Sequence, residues 1–395
     1  MKARSEKVAA ARRASAIAFV GAGMVFASWV TRLPELRGEL ELSTAQLGGA
    51  LAAMAIGSLA ALPVAAWFIH RYGTRTVVRV VAAMATTGLV VIGIGYHAGI
   101  LALIGGLFLL GFGQSAWNIA INVQGALVER HEERAILSRF HAGFSVGTVA
   151  SALLGAGMIS LGVPVAIHLC VVAVTVFLVV FTAVRSFLRD SDFAEEDRGD
   201  PEVRRGRVAD RRTLLIGLVV VASAFGEGAG HDWITVTFVD DHKIAAALAS
   251  LGYAAFLASM TLGRWMGPWL VNRYGRVRTI RGLSVLAIVG LLIFVITPLP
   301  GAGFAGVVMW GLGACLGYPT ALSAAADDPR HAASRVSLVS GVGQVAYLGA
   351  PPMIGLLASF SSIQHALIVV PVLIGLSLLA TSALAPTGRS KAEPE

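Results

Sequence analysis

The stretch "HRYGTR" at residues 70–75 returns as "NRYGRVR" at 272–278. The shared Arg-Tyr-Gly lies at 71–73 and at 273–275, so the second copy follows the first by 202 residues in a chain of 395. Each copy follows one long apolar run and precedes another. A short basic turn repeated half a chain apart points to a repeated structural unit.

The runs around the turns are too apolar for a soluble core. The chain is 56% hydrophobic and 14% charged, against about 25% charged in ordinary soluble domains. Val80–Val128 holds 49 consecutive residues without Asp, Glu, Lys or Arg, Phe140–Val184 and Gly282–Ala326 hold 45 each, and Val336–Gly388 holds 53. A membrane-spanning helix needs about 20 residues, so each run predicts two helices with a tight connection. Gly, Pro, His and Ser cluster at Tyr96–Gly99, Leu161–Pro164, Pro298–Gly303 and Phe360–Gln364, which marks the breaks. Ala14–Thr31, Leu42–Ile69, Thr213–Val239 and Ile244–Val271 add four spans, for twelve in all. A basic leader (Lys2, Arg4, Lys7, Arg12, Arg13) precedes the first span, whose 18 apolar residues exceed a usual signal core. That span reads as an uncleaved helix.

Charge then sets orientation. With twelve spans both termini share one side, and that side carries 27 of the 31 basic residues. The opposite side carries Arg32, Arg37 and Lys243, and Arg264 falls inside a span. The positive-inside rule places both termini and both RYG turns in the cytoplasm. The net charge of +8 is scattered in short gaps between apolar runs, which does not form the basic face that nucleic acid requires. Cys170 and Cys315 lie in apolar runs and read as small buried hydrophobes, without disulfide, metal or cofactor.

Residues 186–212 are dense in both charge signs and nearly free of apolar residues, a solvated linker. It joins a six-helix bundle at 1–185 to another at 213–395. "GFGQSAWN" at 111–118 echoes "GLGACLGYP" at 311–319. The expected fold is all-α and polytopic, with twelve transmembrane helices in two pseudo-symmetric bundles. Parallel repeats of this kind place a solute cleft at their interface, near the membrane midplane.

The architecture and both turns resemble the major facilitator superfamily, whose signature after spans 2 and 8 is Gly-x-x-x-Asp-Arg-x-Gly-Arg-Lys/Arg. The matching stretches are "AWFIHRYGTR" and "PWLVNRYGRV". Arg71 and Gly73, and Arg273 and Gly275, keep the Arg-x-Gly core, while His70 and Asn272 stand where the family has a carboxylate. In the family that carboxylate helps latch the two halves, so the resemblance implies a gating role for the turns. A topogenic basic loop is the plainer alternative. Gly73 and Gly275 suit a positive-φ turn. "SWVTRLPELRGELELSTAQLG" at 28–48, "NIAINVQGALVER" at 118–130, "SRFHAGFSVG" at 138–147, "EGAGHDW" at 227–233 and "GQVAYLGAPPMIG" at 343–355 are similar to the bacterial fucose-permease-like branch. The resemblance implies a bacterial-type inner membrane. Such relatives commonly carry an acidic residue on span 4 where this chain has Asn118.

Charged groups inside a bilayer are rare and usually functional. Glu227 lies about 14 residues into span 7, roughly 21 Å deep. It sits in "GEGAG", where glycines weaken the helix. It reads as a proton-coupling or solute-binding carboxylate, or as a structural carboxylate paired to Arg264 or a hydroxyl. Arg264 is a counter-ion, a solute contact or part of a cytoplasmic latch. His231 follows Glu227 by four on one helical face, a candidate proton relay. Asp232, with interfacial Trp233 beside it, is a further proton-coupling candidate.

Gln114, Asn118 and Asn122 at i, i+4 and i+8 form a polar stripe on span 4. They read as solute contacts facing the cleft, with Trp117 as a stacking plate, or as interhelical hydrogen-bond glue. Tyr318, Gln344 and Tyr347 are weaker solute-site candidates, as is Gln46. "GAGFAG" at 301–306 opens a span with no strand before it, so it is not a dinucleotide site. "GFSVG" at 143–147 reads as a close-packing face.

The sequence thus predicts a non-enzymatic secondary active transporter, expected as a monomer in the lipid bilayer, that moves a small polar or amphiphilic organic solute by alternating access with proton symport. An exporter or uniporter of the same fold is the alternative. A membrane sensor or scaffold without transport is the alternative from another class.

Overall fold

The computed structural model describes residues 2–132, 136–188, 210–297, 299–328 and 332–386. Among them every regular element is a helix. The first helices are α1 (Lys2–Thr31), α2 (Leu33–Glu39), α3 (Thr44–Gly95), α4 (Ile100–Glu132), α5 (Leu137–Ser160) and α6 (Val165–Ala183). Then follow α7 (Arg211–Asp240), α8 (Ala246–Tyr274), α9 (Arg276–Ile296), α10 (Pro300–Ala314) and α11 (Gly317–Ala325). The last are α12 (Ala332–Ala358), α13 (Ile363–Leu367) and α14 (Val369–Leu378). Among the described residues eleven helical stretches are long and apolar enough to cross a membrane, and Ile363–Leu378 is a shorter apolar stretch. Most of the expected linker, from 189 to 209, lies outside the described residues.

Chain breaks fall at the Gly and Pro clusters. A single 3-10 turn, Tyr96–Ala98, separates α3 from α4 and ends at Gly99 with φ 101°. Gly162, at φ 65°, turns the chain between α5 and α6. At the other end of α3, Ser43 accepts from the Gln46 N–H while the Gln46 side chain accepts from the Ser43 N–H. Gln46 is therefore a capping residue.

The two RYG turns have the same backbone. Gly73 interrupts α3 at φ 78°, ψ 156°, and Gly275 separates α8 from α9 at φ 77°, ψ 158°. This region is open to glycine and closed to residues with a Cβ. The echo between 111–118 and 311–319 has an equally physical cause. A Cβ on Gly113 would strike the backbone of Val81 and Ala85, and one on Gly313 would strike the backbone of Leu283 and Ala287. Gly88 lies against the Gly106 carbonyl, as Gly290 lies against the Gly306 carbonyl. In both repeats glycines bring adjacent helices into backbone contact, the mode by which membrane helices associate without a hydrophobic drive between them. Gly147 of "GFSVG" likewise meets the Val20 backbone of α1.

The described chain divides into two compact units. The first is Met1–Arg198 with Thr235–Leu257, and the second is Gly199–Ile234 with Ala258–Glu395. In the first, buried polar groups pin helices together. Ser28 and Ser151 hydroxyls lie 2.7 Å apart, Ser58 donates to the Gly111 carbonyl at 3.1 Å, and Thr74 donates to Gln124 Oε1 at 3.0 Å. Near the C-terminal end of α1, Thr235 donates to the Val30 carbonyl, Ser250 to the Thr31 carbonyl, and Arg37 pairs with Asp240. In the second unit, Arg212 and Arg276 both reach Asp327 at 2.8 Å, and Arg335 reaches Asp210 at 2.8 Å.

Two sequence expectations need correction. The glycines of "GEGAG" do not break α7, which runs unbroken from Arg211 to Asp240. Gly228 instead admits the backbone of Tyr347 from α12. The interruption lies in span 10, where Cys315 and Leu316 separate α10 from α11. Trp233, expected at an interface with water, is fully buried.

Candidate functional site

In the second unit Glu227 and Arg264 meet beside the interruption of span 10. Glu227 lies near the middle of α7, sixteen residues from its start at Arg211. Arg264 lies ten residues from the end of α8 at Tyr274, about 15 Å along the axis at 1.5 Å per residue. Arg264 Nη2 donates to Glu227 Oε1 at 2.9 Å. Its Nε points at the Cys315 carbonyl, 3.3 Å away. A helix interruption leaves carbonyls without intrahelical partners, and the guanidinium supplies one.

His231 stands one turn beyond Glu227, with Nε2 3.9 Å from Oε1. The Tyr347 ring of α12 lies 6.1 Å from the His231 ring. Tyr318, at the start of α11, has its hydroxyl 3.1 Å from the Ser340 hydroxyl of α12. Gln344 is half-buried on the same α12 turn. Asp232 is half-buried on α7, next to His231. The side chain of Arg264 is 40% exposed and that of Glu227 18%, so the cation is the more open member of the pair.

In the first unit the three span-4 amides take different surroundings. Gln114 is buried and donates to the Ala22 carbonyl of α1 at 2.7 Å. Asn118 is exposed, and its side-chain oxygen and carbonyl both accept from Asn122 Nδ2, at 2.9 and 2.8 Å. Trp117 is fully buried, against Gly21 of α1. At the turns, His70, Arg71, Asn272 and Arg273 are exposed. The Arg71 guanidinium lies 5.4 Å from the Tyr72 ring centroid.

Two arrangements escaped sequence reading. The Cys315 carbonyl is a backbone group, and its availability depends on where a helix breaks. Arg32 is fully buried and bonds three groups: Nε to His168 Nδ1 at 2.9 Å, Nη1 to Glu35 at 2.6 Å and Nη2 to the Val163 carbonyl at 2.9 Å. The only prior signal was a cation on the side poor in Lys and Arg.

Residues 14–351 and 233–395 match the family model of the Major Facilitator Superfamily. An uncharacterized MFS-type transporter of Yersinia pestis is 28% identical over 352 residues, covering 89% of this chain and 89% of that protein. An uncharacterized transporter of Sinorhizobium fredii, y4wD, is 29% identical over 378 residues, 95% of this chain and 97% of that protein. A solved bacterial homolog of the human lysosomal transporter Spinster, inward-facing and occupied, matches with a TM-score of 0.76 at 15% identity, over 99% of both chains. A variant of the E. coli fucose:proton symporter matches with a TM-score of 0.62 at 13% identity, over 95% of this chain and 98% of that one. With a family model spanning most of its length, the chain belongs to the Major Facilitator Superfamily, a family of secondary transporters.

Proposed function

We propose that the protein carries a small polar or amphiphilic organic solute across a bacterial-type inner membrane by alternating access, with solute uptake coupled to protons through Glu227. The observation that carries this reading is the Glu227–Arg264 pair beside the interruption of span 10. A guanidinium this deep in a span is tolerated where it meets a counter-ion and a water-filled path rather than hydrocarbon. Protonating Glu227 removes the charge that holds Nη2. The pair therefore has two states, and a proton chooses between them.

In this reading the halves at 1–185 and 213–395 move about the 186–212 linker, with both termini cytoplasmic and one chain per transporter. The solute contacts on span 4 are Asn118 and Asn122, whose mutual hydrogen bonds hold the amides in place. Gln114 and Trp117 stand behind them, fixing α4 to α1. Tyr318, Gln344 and Tyr347 supply contacts from the second half, and His231 passes the proton to or from Glu227, with Asp232 next in line. The RYG turns act at the gate.

The test is flux in proteoliposomes under an imposed pH gradient. Glu227→Gln should abolish gradient-driven accumulation and spare solute exchange between the two sides. Equal accumulation by the wild type and the variant would remove Glu227 from the coupling.

A further inference from the structure

We propose that the solute is an organic anion, and that its carboxylate takes the place of Glu227 on Arg264. This rests on the transporter reading above and names the substrate class for the same site.

The geometry of the pair is the first ground. Arg264 spends Nε on the Cys315 carbonyl and Nη2 on a single oxygen of Glu227. Its Nη1 donates to no described residue, and the side chain is 40% exposed. Guanidinium groups bind carboxylates best as a two-pronged fork. Glu227 uses one prong. The edge made by Nη1 and Nη2 is the one an incoming carboxylate would fill, once Glu227 gives up Nη2.

Charge balance is the second ground. The ionised pair is neutral, so an anion arriving beside it would leave a net negative charge within the membrane span, which is costly. A proton on Glu227 removes that excess. Arg264 engages Oε1, and Oε2 offers a place for the proton. Other groups also surround the pair. His231, on α7 itself, approaches at 3.9 Å. Arg264 comes from α8, the Tyr347 phenol from α12, and the Cys315 thiol is turned to the Leu312 carbonyl. Asp232 lies five residues along α7, about 140° around the helix from Glu227. Anion and proton therefore bind together and leave together, after which the Glu227–Arg264 pair re-forms.

The experiment compares molecules of one shape and three charges on the purified full-length protein. Benzoate, benzamide and benzylamine form one set, and lactate, lactamide and 1-amino-2-propanol another. Binding is read by thermal shift and by titration calorimetry between pH 5.5 and 8. The carboxylates should stabilise the protein, and the amides and amines should not. With one linked proton, carboxylate affinity should weaken by about tenfold per pH unit above the titration of Glu227. Glu227→Gln should bind carboxylate without that pH dependence, and Arg264→Gln should not bind it. Should Arg264→Gln misfold, Arg264→Lys, with one prong in place of two, should bind carboxylate at least tenfold more weakly.

Stabilisation by amide or amine in preference to carboxylate overturns the assignment. So does a panel in which no carboxylate binds, or one in which carboxylate binding ignores both Arg264 substitutions. Proton-driven uptake of an uncharged solute would sink this inference and leave the transporter reading intact. Absence of gradient-driven flux for every solute would sink the transporter reading itself.

Discussion

Replacing Gly275 by alanine tests the RYG turn as a backbone device. Gly275 sits at φ 77°, ψ 158°, with no atom within 4 Å of where a Cβ would stand. Space is therefore not the obstacle, and the whole penalty comes from torsion. Forcing an L-residue into this glycine-only region costs about 1–3 kcal/mol. Gly282 is the matched control. It lies seven residues on, inside α9, also with open space at its Cβ position. There alanine should add roughly 0.5–1 kcal/mol, because glycine is a poor helix former. Each variant adds one methyl group in the same helix neighbourhood, yet the two should diverge by about 1.5–4 kcal/mol. The assay is reversible unfolding in mixed detergent micelles, followed by tryptophan fluorescence, with Gly73→Ala as a third variant that should track Gly275→Ala. Stability of Gly275→Ala within about 0.5 kcal/mol of wild type, the ordinary range for a neutral substitution, would refute the reasoning. A parallel loss in Gly282→Ala would refute it too.

Gly313→Ala and Gly113→Ala should each destabilise by about 1–3 kcal/mol through overpacking, since both would drive a methyl group into the backbone of the neighbouring helix. Comparison with Gly105→Ala, where the space is open, checks the mechanism in the same unfolding assay. Gln114→Leu should cost about 1 kcal/mol of stability for the lost bond to the Ala22 carbonyl, whereas Asn118→Leu should leave stability unchanged and weaken solute binding in calorimetry. Unchanged affinity in Asn118→Leu would move the solute site off span 4. Asp210 caps α7 by accepting the Thr213 N–H and faces Arg335 and Arg212, which holds its carboxyl below the ordinary value of 3.8. A depressed carboxyl stabilises the fold above its ordinary value, and that contribution is lost as pH falls through the lowered one. Wild type should therefore exceed Asp210→Asn in melting temperature at neutral pH, and the gap should close below pH 3.8. A gap that widens on acidification would contradict the sign.

Much of the fold was legible because a bilayer imposes one-dimensional rules. Span length, charge-free runs and Gly/Pro punctuation are local properties, so the breaks near Tyr96, Leu161, Pro298 and Phe360 could be read directly. The repeated Gly73 and Gly275 were legible for the same reason: a torsional requirement belongs to one residue. The site was legible only as an inventory. Glu227, Arg264, His231 and the span-4 amides stood out as polar groups in apolar surroundings, but each carried two readings. Choosing partners takes the third dimension.

By itself, then, the sequence determined the all-helical membrane architecture, the repeated glycine turns and the short roster of polar residues inside it. Tertiary structure alone decided that Arg264 faces Glu227 across 37 residues of chain, that Gln114 turns to the Ala22 carbonyl, and that span 10 breaks where span 7 does not. The physical reason is that helix periodicity orients a side chain about its own axis only. Which neighbour it meets depends on helix approach, and here that approach is set by glycines such as Gly228 and Gly313, whose effect appears only against the backbone they touch.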